Sequence, residues 1–237
     1  MIGRSGPPAS WWEQSSLWPY GGIMTENRPG VTLLQGDCRE VLRGLGSVDA
    51  VITDPIWPDN GVFNVDDPSR LLREALEVID AKRIVIVLAF HSDPRFLTAV
   101  PHRWPFLRVQ TMSYACTGYR GRMLGGTEVA YCFGEPVPSA PGRRVIPGRG
   151  PCVSQRTPEN GHPCPRHVKH FEWLVNWWSD PGEIVLDPFM GSGTTGVACV
   201  NMERAFVGCE IDPLYYQIAE RRIAEAQTQP CLEGIGG

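Results

Sequence analysis

Two motifs far apart in the chain hold the residue types for a group transfer. Asp54-Pro-Ile-Trp57 sets a carboxylate, a proline carbonyl and an aromatic ring side by side. Downstream, Gly191-Ser-Gly-Thr-Thr-Gly196 fits G-x-G-x-x-G, and Glu210 follows Gly191 by 19 residues. Glycines at that spacing permit a tight turn and close approach of backbone to a nucleotide-like cofactor, and the later carboxylate suits a ribose diol. The exocyclic amino nitrogen of adenine or cytosine is conjugated with its ring and is a poor nucleophile. Two acceptors, the Asp54 side chain and the Pro55 carbonyl, can take both amino hydrogens and localise the lone pair toward an electrophilic methyl group. Trp57 can stack on a base drawn out of a duplex, since that nitrogen is out of reach inside the stack. Such a step needs positioning and no covalent intermediate.

Each motif alone has a plainer reading. A strand-ending Asp-Pro turn beside a core Trp gives the first, and a glycine turn that only packs helix on strand gives the second. The glycine pattern also fits NAD as well as S-adenosylmethionine. Only 27 residues follow Glu210, too few for the second half of a dinucleotide domain, so NAD is disfavoured. His162, Cys164, His167 and His170 are close enough in sequence to suggest zinc, but no paired Cys-x-x-Cys accompanies them and no metal is expected.

The elements that must position these motifs alternate. Strands are expected at 31–35, 49–53, 83–90, 108–116, 127–133, 183–187 and 205–211, and helices at 38–45, 68–79, 168–178, 194–202 and 213–226. Pro68 starts a helix whose Leu71, Leu72, Ala75, Leu76 and Ile79 share one face. The strand at 49–53 delivers Asp54 at its C-terminal end, the ligand edge of an open α/β sheet. Strand–helix alternation predicts an open, largely parallel sheet with helices on both faces. Residues 1–30 read as an irregular extension, 31–226 as the working domain, 135–161 as a short Pro/Gly-rich insert and 227–237 as a tail.

Charge is distributed unevenly. The net charge is −4, yet residues 94–170 hold ten Arg and one Lys against Glu128, Glu135 and Glu159. A basic segment inside an acidic chain is the footprint of a nucleic-acid face. Arg143, Arg144, Arg149 and Arg156, with Arg120 and Arg122 in the neighbouring loop, are the candidate DNA contacts. Eight cysteines at irregular spacing read as reduced thiols, no run is apolar enough for a membrane span, and no signal peptide is visible, so a cytoplasmic protein is expected.

Taken together, the chain resembles the permuted (β-class) amino-methyltransferases of bacterial and phage DNA modification. The resemblance runs from about residue 31 to 226. It is carried by Gln35-Gly-Asp-Cys38, Val51-Ile-Thr-Asp-Pro-Ile-Trp57, Gly126-Thr-Glu128, His162-Pro163, Leu186-Asp-Pro-Phe-Met-Gly-Ser-Gly-Thr-Thr195 and Gly208-Cys-Glu-Ile-Asp212. It implies a Rossmann-like methyltransferase sheet with circularly permuted motif order, S-adenosylmethionine as cofactor and DNA as partner, with a homodimer compatible. Asp54, Pro55 and Trp57 are then catalytic. The glycine loop (Gly191, Ser192, Gly193, Thr194) with Asp187 and Phe189 holds the methionine part of the cofactor. Glu210, with Ile211 and Asp212, meets the ribose, and Asp37 and Cys38 lie near the adenine. His162 and Arg166 lie near the methionine moiety, and Asp54 also borders the cofactor. Asp at the head of the tetrad implies adenine N6. Cytosine N4 and a catalytically silent cofactor-binding module remain alternatives.

Three departures from the family pattern stand out. Ile56 replaces the second proline of the catalytic tetrad, which releases a φ lock and frees Pro55 from preceding a proline. Arg166 stands where the family has lysine. The recognition region is no larger than 135–161.

Overall fold

The computed structural model describes residues 23–26, 30–57, 65–120, 123–138, 145–154 and 166–228, with backbone alone at 23–26, 116–120 and 123–124. His162, Arg122, Arg143, Arg144 and Arg156 lie outside the described residues, as does the side chain of Arg120.

The strands are β1 (Ile23–Glu26), β2 (Val31–Gln35), β3 (Val48–Thr53), β4 (Ala81–Ala89), β5 (Phe106–Arg120), β6 (Met123–Gly134), β7 (Arg149–Val153), β8 (Ile184–Asp187) and β9 (Ala205–Glu210). The helices are α1 (Cys38–Val41), α2 (Pro68–Glu77), α3 (Val168–Trp178), α4 (Thr194–Asn201) and α5 (Pro213–Thr228), with a 3₁₀ turn at Pro94–Ala99. They build one nine-stranded sheet in the order β1-β2-β9-β8-β3-β4-β6-β5-β7. The run from β2 to β4 is parallel, as is β5 with β7, while β1, β6 and the β5–β6 hairpin pair antiparallel.

Period-two alternation sends each strand's side chains to two different cores. In β4, Val85 and Val87 pack with α3, α4 and α5, whereas Ile84, Ile86 and Leu88 pack with α1, α2 and the 3₁₀ turn. Ala50 and Ile52 of β3 join the first core and Val51 the second, while Val48, at the strand's start, departs from the alternation and packs in the second core. Both sheet faces are therefore covered, which is why these strands read as continuous apolar runs.

The order also creates a switch point. From β3 the chain proceeds to β4 on one side, and from β8 it proceeds to β9 on the other. Strands β3 and β8 lie side by side in parallel, Ala50 opposite Val185 and Val51 opposite Leu186, although far apart in sequence. Ligands of open α/β sheets sit in the crevice outside such a junction. Here it is bordered by Asp54, just after β3, and Asp187, the last residue of β8.

Four expectations need adjustment. Ile23–Glu26, placed in an irregular extension, forms a strand on β2. Arg149–Val153, placed in a loop-like insert, runs parallel to β5. The strands expected at 108–116 and 127–133 continue into a long hairpin through the Gly/Arg-rich segment, pairing Gly118 with Gly125 and Arg120 with Met123. Backbone pairing needs no apolar periodicity, so these pieces were silent in the pattern. Helix α1 is a single turn rather than residues 38–45. Among the described residues, no helix is long and apolar enough to cross a membrane.

Candidate active site

A cavity of about 690 Å³ opens at the β3–β8 junction. Its walls include Asp37 and Cys38 beyond β2, Asp54 to Trp57 beyond β3, Arg166, Asp187 to Ser192 and Thr194 beyond β8, and Glu210 to Asp212 beyond β9. Four separate strand ends thus deliver most of the candidate residues to one space. Gly193 does not itself line the cavity, and Arg149 is exposed on the edge strand β7.

The glycine loop is held rigidly by its own backbone. Gly191 and Gly193 adopt φ of 50° and 78°, the left-handed region that favours glycine. A Cβ on Gly193 would also stand 2.9 Å from the Ala219 Cα, so α5 can approach the loop only because no side chain intervenes. The Arg222 guanidinium, reaching from α5, donates to the Ser192 carbonyl at 2.5 Å and to its hydroxyl at 3.0 Å.

The two carboxylates on this side are both buttressed. Asp187 accepts from Thr53 Oγ1 at 2.7 Å, from Thr195 Oγ1 at 2.5 Å and from the Phe189 N–H at 3.1 Å. Burial nonetheless pushes its pKa up to about 6, the three donors resisting. Glu210 accepts the Gly191 N–H at 2.9 Å on one oxygen and the Asp212 N–H at 2.8 Å on the other. Burial raises its pKa as well, with those backbone donors opposing. Asp212 itself caps α5, accepting from the Leu214 and Tyr215 N–H groups.

Asp37 is tied up locally. It caps α1 and takes a forked ion pair from Arg39, whose other nitrogen reaches Glu74 at 2.8 Å. The Arg39 hydrogen bond lowers the Asp37 pKa. Cys38 is buried, and burial pushes its thiol up to about 12. Cys38 is thus a wall, with no nucleophilic thiolate.

The other side is built from side chains. Arg166 grips Asp54 through Nε at 2.5 Å and Nη2 at 3.2 Å, and its guanidinium lies over the Trp57 ring, 4.5 Å from the centroid. Its remaining nitrogen, Nη1, donates to Glu128 at 3.0 Å. Burial raises the Asp54 pKa, and Arg166 opposes the rise. The Trp57 indole N–H also favours the Asp54 anion, though it makes no hydrogen bond of full geometry.

The sequence reading did not anticipate several contributors. Thr53 and Thr195 lie within the quoted motifs, but their role as donors to Asp187 carried no signal of its own. Arg39 and Glu74 at the rim and Arg222 behind the loop lie outside any motif. Glu128 sits in a motif that implies no role for it, and His170 stands out in the sequence only as a zinc candidate, yet the two are buried partners behind Arg166. Arg166 was placed beside the cofactor's methionine moiety; it lines that cavity, but its side-chain partners are Asp54, Glu128 and Trp57.

Residues 48–221 match the model of the DNA methylase family, the N6/N4 methylases. The chain belongs to that family. The methylase is 26% identical over 214 residues to the putative methylase YubD of Escherichia coli K12, covering 82% of this chain and 90% of that protein. A local stretch of 48 residues is 50% identical to the type II methyltransferase M.Cfr9I of Citrobacter freundii, 20% of this chain and 16% of that one. In fold it is similar to the crystal structure of an M1.HpyAVI–SAM complex, with a TM-score of 0.65 at 24% identity over 81% of this chain and 98% of that one. It is also similar to the cytosine-N4-specific PvuII DNA methyltransferase, with a TM-score of 0.60 at 14% identity over 82% and 86%. The methylase is an S-adenosylmethionine-dependent enzyme of DNA amino groups, and these likenesses leave the choice of base open.

The residues present fit that cofactor. The cavity lies within the roughly 300–1,000 Å³ of ordinary ligand sites. Glu210, held by backbone donors, keeps acceptor capacity on its carboxylate, as a diol requires. Carboxylates along the wall suit a cationic ligand, and Phe189, Met190 and Ile211 offer apolar surface.

Proposed function

We propose that the methylase modifies N6 of an adenine flipped out of DNA, using a domain that spans about residues 31–226. The observation supporting this reading is the convergence of Asp54, Trp57, Asp187 and Glu210 on one cavity at the β3–β8 junction. When bound, S-adenosylmethionine supplies an electrophilic methyl group on a sulfonium.

The chain's own residues do the rest. Glu210 takes the ribose hydroxyls, and Asp187 with the glycine loop takes the charged amino-acid end. Asp54 and the Pro55 carbonyl accept the two amino hydrogens, so the nitrogen lone pair turns toward the methyl. As the nitrogen gains its fourth bond it becomes cationic and must shed one hydrogen. The Asp54 carboxylate is the acceptor beside it, and burial strengthens its hold on a proton. Arg166 covers one face of Trp57, so the base stacks on the other. Arg149, with the arginines of 120–156, meets phosphate and supplies affinity without base reading. Such an enzyme works in the cytoplasm.

Asp rather than Ser at position 54 favours adenine through the family pattern. Cytosine N4 is the second reading, favoured by the fold likeness to the cytosine-N4-specific PvuII enzyme. Incubating mixed DNA with the purified protein and cofactor, then resolving the nucleosides by mass spectrometry, tests both. N6-methyldeoxyadenosine is expected. N4-methyldeoxycytidine overturns the choice of base, and no methylation despite cofactor binding makes the chain a silent module.

A further inference from the structure

Behind Arg166 lies a polar cluster that does not line the cavity. Glu128 is 2% exposed and His170 0%. Glu128 Oε1 accepts from Tyr114 Oη at 2.8 Å and Arg166 Nη1 at 3.0 Å, while Oε2 lies 2.6 Å from His170 Nδ1. His170 Nε2 faces the Ser113 carbonyl at 3.2 Å. Glu128 enters this position because β6 runs antiparallel to β4 and pairs Glu128 with Ala89, at the ligand edge of the sheet.

Folding alone does not call for this cluster. Burying an ion pair costs several kcal/mol of desolvation per ion, and apolar residues of similar volume often serve stability as well or better. What the cluster adds is a second hold on Arg166. A guanidinium is a rigid planar fork, and here its nitrogens are divided between two carboxylates, Asp54 and Glu128. An arginine at the edge of a DNA enzyme that lacked the second hold would be free to swing toward phosphate.

We infer that Glu128, with His170 and Tyr114 behind it, is a positioning residue for methyl transfer: it anchors Arg166, and Arg166 fixes where the free lone pairs of the Asp54 carboxylate point. The inference rests on the reading of Asp54 as acceptor for the target amino group. It also gives the replacement of the family lysine by arginine a purpose, since one ammonium cannot span both carboxylates with a planar fork.

The test is Glu128→Gln, measured at saturating cofactor. Cofactor and DNA affinities stay within about threefold of wild type, while kcat falls at least about thirtyfold, roughly 2 kcal/mol on the barrier. The acid limb of kcat separates positioning from a general structural role. Among the described residues, the charges acting on Asp54 are Arg166 and Glu128, with Asp187 on the neighbouring strand and His170 and Tyr114 behind Glu128. Arg166 lowers the Asp54 pKa more than Glu128 raises it. If Glu128→Gln frees Arg166, the larger influence is lost and the acid limb moves to higher pH. If Arg166 stays in place without Glu128, only the repulsion is lost and the limb moves down, which overturns the inference. A kcat within threefold of wild type overturns it too. Arg166→Lys keeps the charge and loses the fork, and gives the same kcat loss with cofactor affinity retained. It carries the test if Glu128→Gln fails to fold, and a loss confined to cofactor affinity in Arg166→Lys overturns the inference. Asp54→Asn is assayed alongside. Retained turnover there defeats the reading of Asp54 itself, whereas an inactive Asp54→Asn beside a normal Glu128→Gln defeats only the positioning role.

Discussion

The two sides of the cavity are built from different materials. On the side of β8 and β9, carboxylates are steadied by backbone N–H groups and threonine hydroxyls, and the loop between them takes shapes that favour glycine. On the side of β3 and β6, a carboxylate is steadied by an arginine that a second, buried carboxylate restrains. Backbone donors cannot swing, so the first side is a fixed mould, suited to one cofactor. A side-chain ion pair can break and re-form, so the second suits a base that arrives from solution.

If that contrast is real, each side fails in its own way. Asp54→Ala should lower turnover at least about a hundredfold, roughly 2.7 kcal/mol on the barrier, with cofactor affinity within a few fold. Single-turnover methylation paired with calorimetry measures both, and a variant that keeps a tenth of wild-type turnover contradicts the assigned role. Gly193→Val should instead damage the mould. Its φ of 78° and the 2.9 Å approach to the Ala219 backbone leave no room for a side chain. Strain of about 1–3 kcal/mol should appear as a lower melting temperature together with weakened cofactor binding. Normal melting with normal cofactor affinity would mean that the loop is not held as described.

A third measurement uses pH. Burial holds Asp187 at a pKa of about 6, so its anion predominates above that value and the neutral acid below it. If the anion meets the cofactor's ammonium group, affinity is full above pH 6 and declines as pH falls through it. About a tenfold loss between pH 7 and pH 5 is expected, one pKa unit being 1.36 kcal/mol. Asp187→Asn should bind weakly at all pH and flatten the curve. Glu210, also raised by burial, adds a slope of the same sign, and that portion persists in Asp187→Asn.

The sequence made the mould legible and the ion-pair side only half so. Gly191, Gly193, Asp187 and Glu210 stand in one short stretch, and their spacing is itself the geometry of a strand, a turn and a helix. Local order along the chain therefore announced them. Asp54 was legible because it closes an apolar strand. The partners of Asp54 come from elsewhere: Arg166 is 112 residues away, and Glu128 meets His170 across 42. The strand order, which places β6 beside β4 and β4 beside β3, and the packing of α3 against the sheet bring them within reach, and no local period encodes that. The same applies to β1 and β7, which are strands because a neighbour offers an edge. Their own residues do not alternate.

The smallest effect expected is at Ile56, and it probes whether the ion-pair side depends on backbone stiffness at all. Ile56 lies between the Pro55 carbonyl and Trp57 and lines the cavity. Among the described residues its N–H has no hydrogen-bond partner, so a proline there would remove no bond to any of them. Ile56→Pro would fix φ near −65° and push Pro55 toward extended backbone. If Arg166 and Glu128 already hold the acceptors in place, the added stiffness is redundant and kcat should stay within about threefold of wild type, equal or higher, since 0.6 kcal/mol or so is all that such a change carries. Stopped-flow methylation of the Pro variant, with a melting curve to confirm folding, decides it. A gain of tenfold or more would show that the Pro55 carbonyl is loosely aimed in the native enzyme. A folded but inactive variant would show that the loop must follow a path that proline forbids, and that the ion pair alone does not set the geometry of the acceptors.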